Sequence, residues 1–339
     1  MSELGVPLSV LDLAPIGQGS SAGQALANSA SLVAETERLG YTRYWVAEHH
    51  NMPGIASSSP AVLLAHLGAH AHRIRLGSGG VMLPNHSPLV VAEQFGMLEA
   101  LHPGRIDLGI GRAPGTDQLT ARALRRSNTM TDEFPHQLRD LLSFFSGQWP
   151  EGHPYQQVTA VPGRGHQPAM WLLGSSDYSA HAAGVLGLPF SFAYHFSAGH
   201  TLPALSTYRS AFQPSSALDK PYAMLGVAVI CAATDDHAQW LAGPSKLAMV
   251  RLRTGRPGLY PSAEEAADYH FTPRESEVAK SWMASSIVGS PETVVGKLRD
   301  LLEMTGANEL MLTTNVHGHP ARVNSYRLVA ELAGLSPST

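Results

Sequence analysis

The sequence predicts a (β/α)8 barrel, and two observations support that prediction. Short apolar runs alternate with longer helical patterns along the 339-residue chain, and repeated strand–helix–strand units imply a parallel sheet with right-handed crossovers. Each strand-length run is followed by glycine, serine, arginine or histidine, which places polar side chains at the carboxyl ends of the strands, where such barrels carry their active sites. An open, doubly wound sheet of two domains is the alternative arrangement of the same alternation.

Eight strands are predicted from β-branched or apolar runs that turn residues bound on both sides. Eight units in a chain of this length favour closure into a barrel over an open sheet. The predicted strands are Leu8–Ala14, Arg43–Ala47, Ile74–Val81, Arg105–Ile110, Ala169–Leu173, Phe190–Tyr194, Tyr222–Cys231 and Glu309–Thr313.

Helical patterns separate nearly all of these strands. The third helix begins at Pro88 after Asn85-His86-Ser87, which is typical of a helix N-terminus. The predicted helices are Ala22–Leu39, Pro60–Ala71, Pro88–Leu101, Ser176–Leu186, Leu202–Phe212, Asp235–Arg251, Pro291–Thr305 and Ala321–Ala333.

Two long stretches interrupt the alternation. Residues 113–168 follow the fourth strand and contain one good helix, Asp132–Phe145, and residues 252–284 precede the last unit. Long insertions are usually binding elements, lids or mobile loops; a surface excursion that covers the barrel is the alternative for each. We therefore predict one barrel domain over residues 1–339, with an excursion after strand four and a mobile lid before the last unit.

The composition excludes several classes of function. A net charge of −4 gives no basic field for nucleic acid and no polybasic membrane anchor. The N-terminus MSELGVPLSVLDLAP lacks the positive and apolar regions of a signal peptide, and no run reaches the length of a membrane helix. The single cysteine, Cys231, ends an apolar run and is predicted to be a buried, inert thiol. We expect a cytoplasmic protein that binds neither nucleic acid nor membrane.

The strand Arg43–Ala47 runs directly into Glu48, His49 and His50. A histidine at the pocket end of a barrel strand can act as base, acid or hydrogen-bond donor. Because alternate side chains face inward and outward, only one of the two histidines is expected to reach a ligand. A structural histidine is the alternative for each.

Adjacent glycines, Gly79 and Gly80, interrupt the third strand within GSGGVMLPNHSP. Glycines weaken a strand, so a feature of the site should require the missing side chains. A planar ring against the backbone or an unusual peptide geometry would do so; a β-bulge at a barrel corner is the alternative.

A candidate anion site follows strands four and five. Arg112 lies in GIGRAPG, and GSSDYSA opens a helix with Ser175, Ser176, Tyr178 and Ser179. Hydroxyls and free N–H groups at a helix N-terminus bind anions, and a neighbouring arginine would complete the site. The alternative is that Ser175 or Ser176 only caps the helix.

Two competing kinds of site are less well supported. PIGQGSSAG after the first strand resembles a dinucleotide fingerprint but has one residue too many, so a flexible loop is the better interpretation. His195, His317 and His319 follow strands six and eight, yet no Asp or Glu follows strand eight to join them as a metal ligand. We predict no metal.

Taken together, these segments resemble the bacterial luciferase-like superfamily of flavin-dependent monooxygenases. The resemblance covers nearly the whole chain, and in this order at these strand ends the segments are highly specific. They are LDLAPIGQG, RYWVAEHHN, GSGGVMLPNHSPLVVAEQFGMLEALHPGRIDLGIGRAPG, WLLGSSDYSAHAAGVLGLPFSFAYHF and ANELMLTTNVHGH.

The resemblance assigns roles to individual residues. It implies a barrel that binds FMN at its carboxyl end, with a family cis peptide at Gly79–Gly80 against the flavin ring and residues 252–284 as the lid. His49, beside Glu48, matches the catalytic histidine, and the region of Glu93 matches a dimer contact. In the expected phosphate site, Arg112 matches the phosphate-binding arginine of the family, and Ser176 and Ser179 match its hydroxyl contacts. Ser175 and Tyr178 complete the expected cofactor-binding residues.

The sequence also departs from the family. Gly111 stands in place of the reactive cysteine of the luciferases, and Ser175 replaces a phosphate-contacting glutamate, which removes a charge beside the phosphate. Light emission is therefore unsupported.

The reaction that the resemblance implies uses reduced FMN and O2. A separate NAD(P)H-dependent flavin reductase would supply FMNH2, and a C4a-(hydro)peroxyflavin would oxygenate a small organic substrate in a homodimeric enzyme. An F420-dependent dehydrogenase on the same barrel and a non-catalytic flavin-binding protein are the alternatives. The GSSDYSA segment favours the FMN branch, and the intact Glu48-His49 pair argues against loss of catalysis.

Overall fold

Parallel strands close into a barrel in the computed structural model, which describes residues 4–113, 115–125 and 133–336. Within those residues, the hydrogen-bonded order around the barrel follows the chain from the first strand to the seventh, continues with the ninth and returns to the first. The predicted (β/α)8 architecture is confirmed, and the open two-domain sheet is not formed. The strands are β1 (Leu8–Asp12), β2 (Arg43–Val46), β3 (Arg75–Met82), β4 (Ile106–Gly111), β5 (Ala169–Gly174), β6 (Phe190–Phe192), β7 (Ala223–Cys231), β8 (Ser286–Gly289) and β9 (Glu309–Thr313).

Strand β8 is the one strand in this set that the sequence analysis did not predict. It pairs with the carboxyl half of β7, where Ala228 is paired with Ser286 on one side and with Thr313 of β9 on the other. It therefore lies on the same side of β7 as β6, which pairs with the amino-terminal part of β7. Its four residues, SIVG, follow the 252–284 insertion directly, so a pattern of alternation had too few residues to identify it.

Each predicted helix is present in the structure; Pro88–Leu101 and Pro291–Thr305 have the predicted bounds, and the others have ends shifted by a few residues. Asp132, the first residue of one prediction, lies outside the described residues. Four further helices, over residues 118–123, 194–197, 263–268 and 273–284, are short or lie in the insertions. The helices are α1 (Ala22–Arg38), α2 (Pro60–Leu67), α3 (Pro88–Leu101), α4 (Gln118–Ala123), α5 (Phe134–Ser146), α6 (Asp177–Val185), α7 (Tyr194–Ser197), α8 (Thr201–Ala211), α9 (Asp235–Arg253), α10 (Ala263–Asp268), α11 (Pro273–Ala284), α12 (Pro291–Thr305) and α13 (His319–Leu332).

Local capping sets where several helices begin. Ser21 accepts a hydrogen bond from the backbone N–H of Gln24, and Thr272 and Glu275 form a reciprocal capping box at the start of α11. At the start of α12, the side chain of Ser290 accepts a hydrogen bond from the backbone N–H of Thr293, and Pro291 lies in the first helical turn. Residues 289–293 are thus a plain helix start.

A buried charge network closes the amino end of the barrel. Arg43 forms ion pairs with Asp107 at 2.9 Å and with Glu309 at 3.0 Å, and Arg75 binds Asp107 at 2.6 Å. Trp45 Nε1 also donates to Asp107 at 3.0 Å. Removal of one partner would leave an uncompensated buried charge, so the network stabilises the closed floor of the barrel. It lies at the end of the barrel opposite to the polar carboxyl ends of the strands.

Above that network, apolar side chains fill the barrel interior. Trp45 and Trp171 pack edge to face with ring centroids 5.2 Å apart, and Leu11, Met224 and Met311 complete the cluster. The cavity of the molecule begins where this packing ends, at the carboxyl ends of the strands.

Two further observations concern the sequence predictions. Cys231 is fully buried, and burial raises the pKa of its thiol to about 12, as expected of an inert cysteine. Among the described residues, no helix combines the length and apolar character that crossing a membrane requires.

Candidate active site

One cavity of about 440 Å³ lies at the carboxyl end of the barrel. That volume falls within the usual range for a small-molecule site. Its wall is built from residues at the ends of β1–β7 and β9, from one face of α9 and from segment 257–260. The predicted position of the site is therefore the position of the cavity.

Gly79 and Gly80 form part of the cavity wall, and the peptide bond between them is cis. A Cβ on Gly79 would lie 2.7 Å from Leu11 Cδ1, and a Cβ on Gly80 would lie 2.8 Å from the carbonyl oxygen of Gly109. The register with β4 also shifts between Gly79 and Val81. The expected unusual peptide geometry and the alternative β-bulge thus occur together, and neighbouring strands leave no room for side chains here.

His49 lines the cavity, whereas His50 does not. The backbone N–H of His49 donates to Ser57 O at 3.0 Å, and the buried Nδ1 has no hydrogen-bond partner among the described residues. Burial lowers the pKa of His49 to about 4 against the opposing charge of Glu48. The imidazole is consequently neutral near pH 7, and the predicted inward and outward alternation of the two histidines is confirmed.

Glu48 is buried and lies outside the cavity lining. Its carboxylate accepts hydrogen bonds from Met82 N at 3.0 Å and Asn85 Nδ2 at 3.1 Å, and contacts His50 Nε2 at 2.9 Å and His86 Nε2 at 3.0 Å. Burial alone would raise its pKa, but the hydrogen bonds and the charge of His86 outweigh burial and lower it. Glu48 is therefore an ionised acceptor that ties the ends of β2 and β3 together behind the cavity wall.

The predicted anion-binding residues converge at the β4–β5 side of the cavity. Arg112, Ser175, Ser176 and Ser179 all line it, and the Arg112 guanidinium carbon lies 4.1 Å from the centre of the Tyr178 ring. Tyr178 itself is not part of the lining and packs against the arginine from outside.

Ser176 is the residue that precedes the first turn of α6, yet its side chain makes no capping hydrogen bond. Its hydroxyl is thus not consumed by the helix, which weighs against the alternative that this serine is only a cap. The N-terminus of α6 presents hydroxyls and backbone N–H groups to the cavity, the arrangement that favours a bound anion.

Segment 257–260, within the predicted lid, is part of the cavity lining. Tyr260 donates from its backbone N to Ile16 O at 2.8 Å and accepts from Gln18 N at 2.9 Å, and its hydroxyl donates to Asn315 O at 2.6 Å. The glycine-rich loop after β1 is therefore the surface on which this segment rests, and no dinucleotide-type interpretation is needed for it.

The 113–168 excursion has a different place. Its helix α5 packs on α3, and a Cβ on Gly96 would be 2.7 Å from Gly163 N, so the excursion lies close against the outside of the barrel. Ala113, at its start, is its one described residue in the cavity lining. The alternative of a surface excursion that covers the barrel fits this segment better than a binding element.

The remaining histidines do not form a metal centre. His195 lines the cavity, while His317 Nε2 lies 3.1 Å from the carbonyl oxygen of Gln18 on another loop. Within the described ranges, no group of three or more His, Cys, Asp or Glu side chains is arranged to hold a metal ion.

Sequence reasoning missed the outer wall of the cavity. Met249, Arg251 and Leu252 of α9 and Trp282 of α11 line it. The pattern identified α9 only as a barrel helix, because its apolar positions resemble those that pack on a sheet. The tryptophan of SWM within the insertion was the available signal, since a large apolar residue in a predicted lid should cover something apolar.

The low pKa of His49 predicts that the protein becomes less stable in acid. With a pKa of about 4 in the folded protein against the ordinary histidine value of 6.5, the unfolded state binds more protons between those two pH values. The contribution of His49 to the free energy of unfolding is therefore fully present above about pH 6.5. It is lost as the pH drops towards 4, and the loss amounts to at most roughly 3 kcal/mol. Urea unfolding at pH 7 and pH 5 measures the loss. The variant His49→Gln should lose less stability over the same interval, and an equal loss in both proteins would contradict the assignment.

Comparison with known proteins agrees with this geometry. The family model described as luciferase-like monooxygenase matches residues 6–309. A luciferase-like monooxygenase of Escherichia coli strain K12 is 45% identical over 98% of both chains. The solved structure of apo-MsnO8 is 38% identical, covers 99% of this chain and 100% of its own, and superposes with a TM-score of 0.89.

A more distant solved structure shares the fold. The oxygenating constituent of 3,6-diketocamphane monooxygenase of Pseudomonas putida, in complex with FMN, is 20% identical over 98% of both chains, with a TM-score of 0.70.

Proposed function

This chain belongs to the luciferase-like monooxygenase family, and we propose that it is an FMN-dependent monooxygenase acting on a small organic substrate. One observation carries the proposal: a single cavity joins an anion site at Arg112 and α6 to the glycine pair of β3 and to His49. FMN has the matching parts, a phosphate and a flat ring system. The proposal treats residues 1–339 as one catalytic domain.

The described residues fit FMN at both ends. Arg112 and the hydroxyls of Ser175, Ser176 and Ser179 supply positive charge and donors for a phosphate, with Tyr178 packed on the arginine. The absence of side chains at Gly79 and Gly80 lets a planar ring approach the strand. F420 also carries a flat ring system and a phosphate; FMN is favoured over it by the resemblance of GSSDYSA, the segment of Ser175, Ser176 and Ser179, to the FMN branch of the family.

FMNH2, held by Arg112 and the serines of α6, would supply two electrons, so that one atom of O2 enters the substrate and the other leaves as water. His49 is the residue we assign to proton handling, because its neutral imidazole faces the cavity and is able to take up a proton there and return it. We assign Glu48 a positioning role in place of direct contact, since it holds the loops on either side of the wall. Residues 252–284 are the proposed mobile lid, and segment 257–260 of that lid, which lines the cavity, would keep water from the site.

The reduced flavin has to come from elsewhere. We propose a separate NAD(P)H-dependent flavin reductase as the partner that delivers FMNH2, which places the reaction in the cytoplasm. No metal is part of the proposed reaction.

A homodimer is also part of the proposal. Val90, Met97 and Leu101 are exposed on one side of α3, beside the exposed Val62 of α2. Exposed apolar side chains in one group are typical of a protein–protein contact, and Glu93 lies on the same helix.

We expect Met97→Glu to convert a dimer into a monomer, because a charge would then be buried in the contact. Sedimentation velocity measures the change. Met304→Glu on α12 is a matched control, since Met97 and Met304 are each 53% exposed. A wild-type monomer, or a dimer that persists in Met97→Glu, would contradict the proposed interface.

Rapid mixing of the anaerobic FMNH2 complex with oxygenated buffer tests the function. We expect a transient flavin absorbance that belongs to neither reduced nor oxidised FMN, and incorporation of oxygen from labelled O2 into an accepted substrate. Oxidation with the rate and spectra of free FMNH2 would reject the monooxygenase proposal and favour a flavin-binding protein.

A further inference from the structure

His195 lies in the cavity wall opposite His49 and has no role in the function proposed above. It follows β6 within the short helix α7, and its Nδ1 lies 2.7 Å from the carbonyl oxygen of Gly226 on β7. A Cβ on Gly226 would be 3.0 Å from His195 Cε1, so the glycine allows this close approach. The backbone oxygen of His195 also accepts from Ser285 Oγ at 3.3 Å. The ring is thus held through Nδ1 and the backbone of the same residue through its carbonyl oxygen.

The contact with Gly226 determines the tautomer. A carbonyl oxygen only accepts hydrogen bonds, so Nδ1 carries the proton and Nε2 carries the lone pair. Among the described residues, no group donates to Nε2. Because Nδ1 is turned towards β7, the opposite edge of the ring, with Nε2, faces the cavity.

The charge state follows from the surroundings. Burial lowers the pKa of His195, against the small opposing effect of the Gly226 hydrogen bond. The neutral His49 contributes no full charge, and the nearby cation of the lining, Arg251, is paired with Glu265 at 2.6 Å. The imidazole is therefore uncharged near pH 7 and offers an acceptor only.

An aromatic ring packs directly on this imidazole, and much of the cavity lining is apolar. The Phe196 ring lies 4.1 Å from the imidazole, centre to centre, and Ile230, Leu259 and Trp282 belong to the same lining. The hydroxyl of Ser245 is bonded to Asn315 O at 2.7 Å. An acceptor in such surroundings distinguishes strongly between ligands that supply a donor and those that do not.

We propose that His195 recognises the organic substrate through Nε2, and that the substrate is an apolar molecule carrying a hydroxyl or N–H group that donates to this atom. This inference rests on the proposed function, because it names the substrate class of the same cavity. His195 then determines specificity, whereas His49 handles protons.

Two substitutions separate recognition from structural support. In His195→Asn, the side-chain amide nitrogen occupies roughly the place of Nδ1, which keeps the bond to Gly226, while the amide oxygen lies near the place of Cδ2 and leaves no acceptor at the place of Nε2. In His195→Gln, the amide oxygen reaches roughly the place of Nε2, which keeps an acceptor and removes the bond to Gly226. If His195 recognises the substrate, His195→Gln should keep the preference for a donor ligand and His195→Asn should lose it. If His195 only supports the structure through Gly226, His195→Asn should keep the preference and His195→Gln should lose it.

Calorimetry with paired probes measures recognition directly. The pairs are benzyl alcohol with benzyl methyl ether, phenethyl alcohol with its methyl ether, and cyclohexanol with cyclohexyl methyl ether; each ether keeps the carbon skeleton and the oxygen of its alcohol but carries a methyl group in place of the donor hydrogen. Because that methyl group adds bulk in every protein tested, the comparison of His195→Gln with His195→Asn separates loss of the hydrogen bond from the effect of size. Affinities are measured for the full-length protein with saturating oxidised FMN and again without FMN. We expect at least one alcohol to bind about tenfold tighter than its ether, as loss of one buried hydrogen bond implies.

The preference should persist in His195→Gln and fall to about unity in His195→Asn. Equal affinities within every pair in the wild type would overturn the inference. A preference that survives in His195→Asn, or that His195→Gln loses to the same extent, would also overturn it and assign the effect to Gly226. Failure to bind FMN would instead count against the proposed function, while the probe affinities without FMN still decide the role of His195.

Discussion

Replacing Arg112 with alanine should weaken FMN binding by about 10- to 100-fold, the largest loss of affinity that we expect from one substitution. Arg112 is the cation of the cavity at the α6 end, and hydrogen bonds to a charged partner contribute about 1.5–3 kcal/mol each. Titration of FMN fluorescence with the wild type and the variant measures the change.

Two companion variants define the origin of that loss. Arg112→Lys keeps the charge but loses the planar fork that binds a phosphate through two parallel hydrogen bonds, so an intermediate affinity is expected. Arg122→Ala removes an exposed arginine of α4 and should leave the affinity unchanged. If Arg112→Ala binds FMN as tightly as the wild type does, Arg112 has no part in the phosphate site.

Replacing His49 with alanine should lower turnover by about 10²- to 10⁴-fold, the usual contribution of a positioned acid or base. FMN affinity should stay close to that of the wild type, because the phosphate site lies on another side of the cavity. Steady-state oxygenation measures turnover, and fluorescence titration measures affinity in the same preparation.

His50→Ala is the matched control, since His50 is the adjacent histidine and lies outside the cavity lining. Its effect on turnover should be much smaller, acting only through the bond to Glu48 at 2.9 Å. Unchanged turnover in His49→Ala, or equal losses in the two variants, would remove the proton-handling role from His49.

The barrel was predictable because its signal is local and repeated. Runs such as residues 309–313 are apolar, short and bounded by turn residues, and β9 has the predicted bounds. Side chains that follow the strands directly, such as Arg112 and Ser176, were also predictable, since the ends of parallel strands meet at one edge.

Glu48 shows where the sequence argument was incomplete. Side chains alternate along an extended chain, so Glu48 and His50 share one direction and His49 takes the other. Applied to all three residues, that alternation would have placed Glu48 behind the wall beside His50, where the structure has it. The sequence analysis applied it only to the two histidines.

The outer wall depended on contacts that no local pattern contains. Met249 and Trp282 reach the cavity because α9 and α11 pack on one another over the barrel end, and that packing joins positions far apart in the chain. The fixed tautomer of His195 likewise depends on Gly226, a partner 31 residues away.

Anaerobic equilibrium binding of FMNH2, with reduced F420 as the competitor, tests the central claim most directly. The account predicts tight binding of FMNH2 that excess F420 does not displace and that Arg112→Ala weakens. Preferential binding of F420 would contradict the account and identify the protein as a hydride-transfer dehydrogenase on the same barrel.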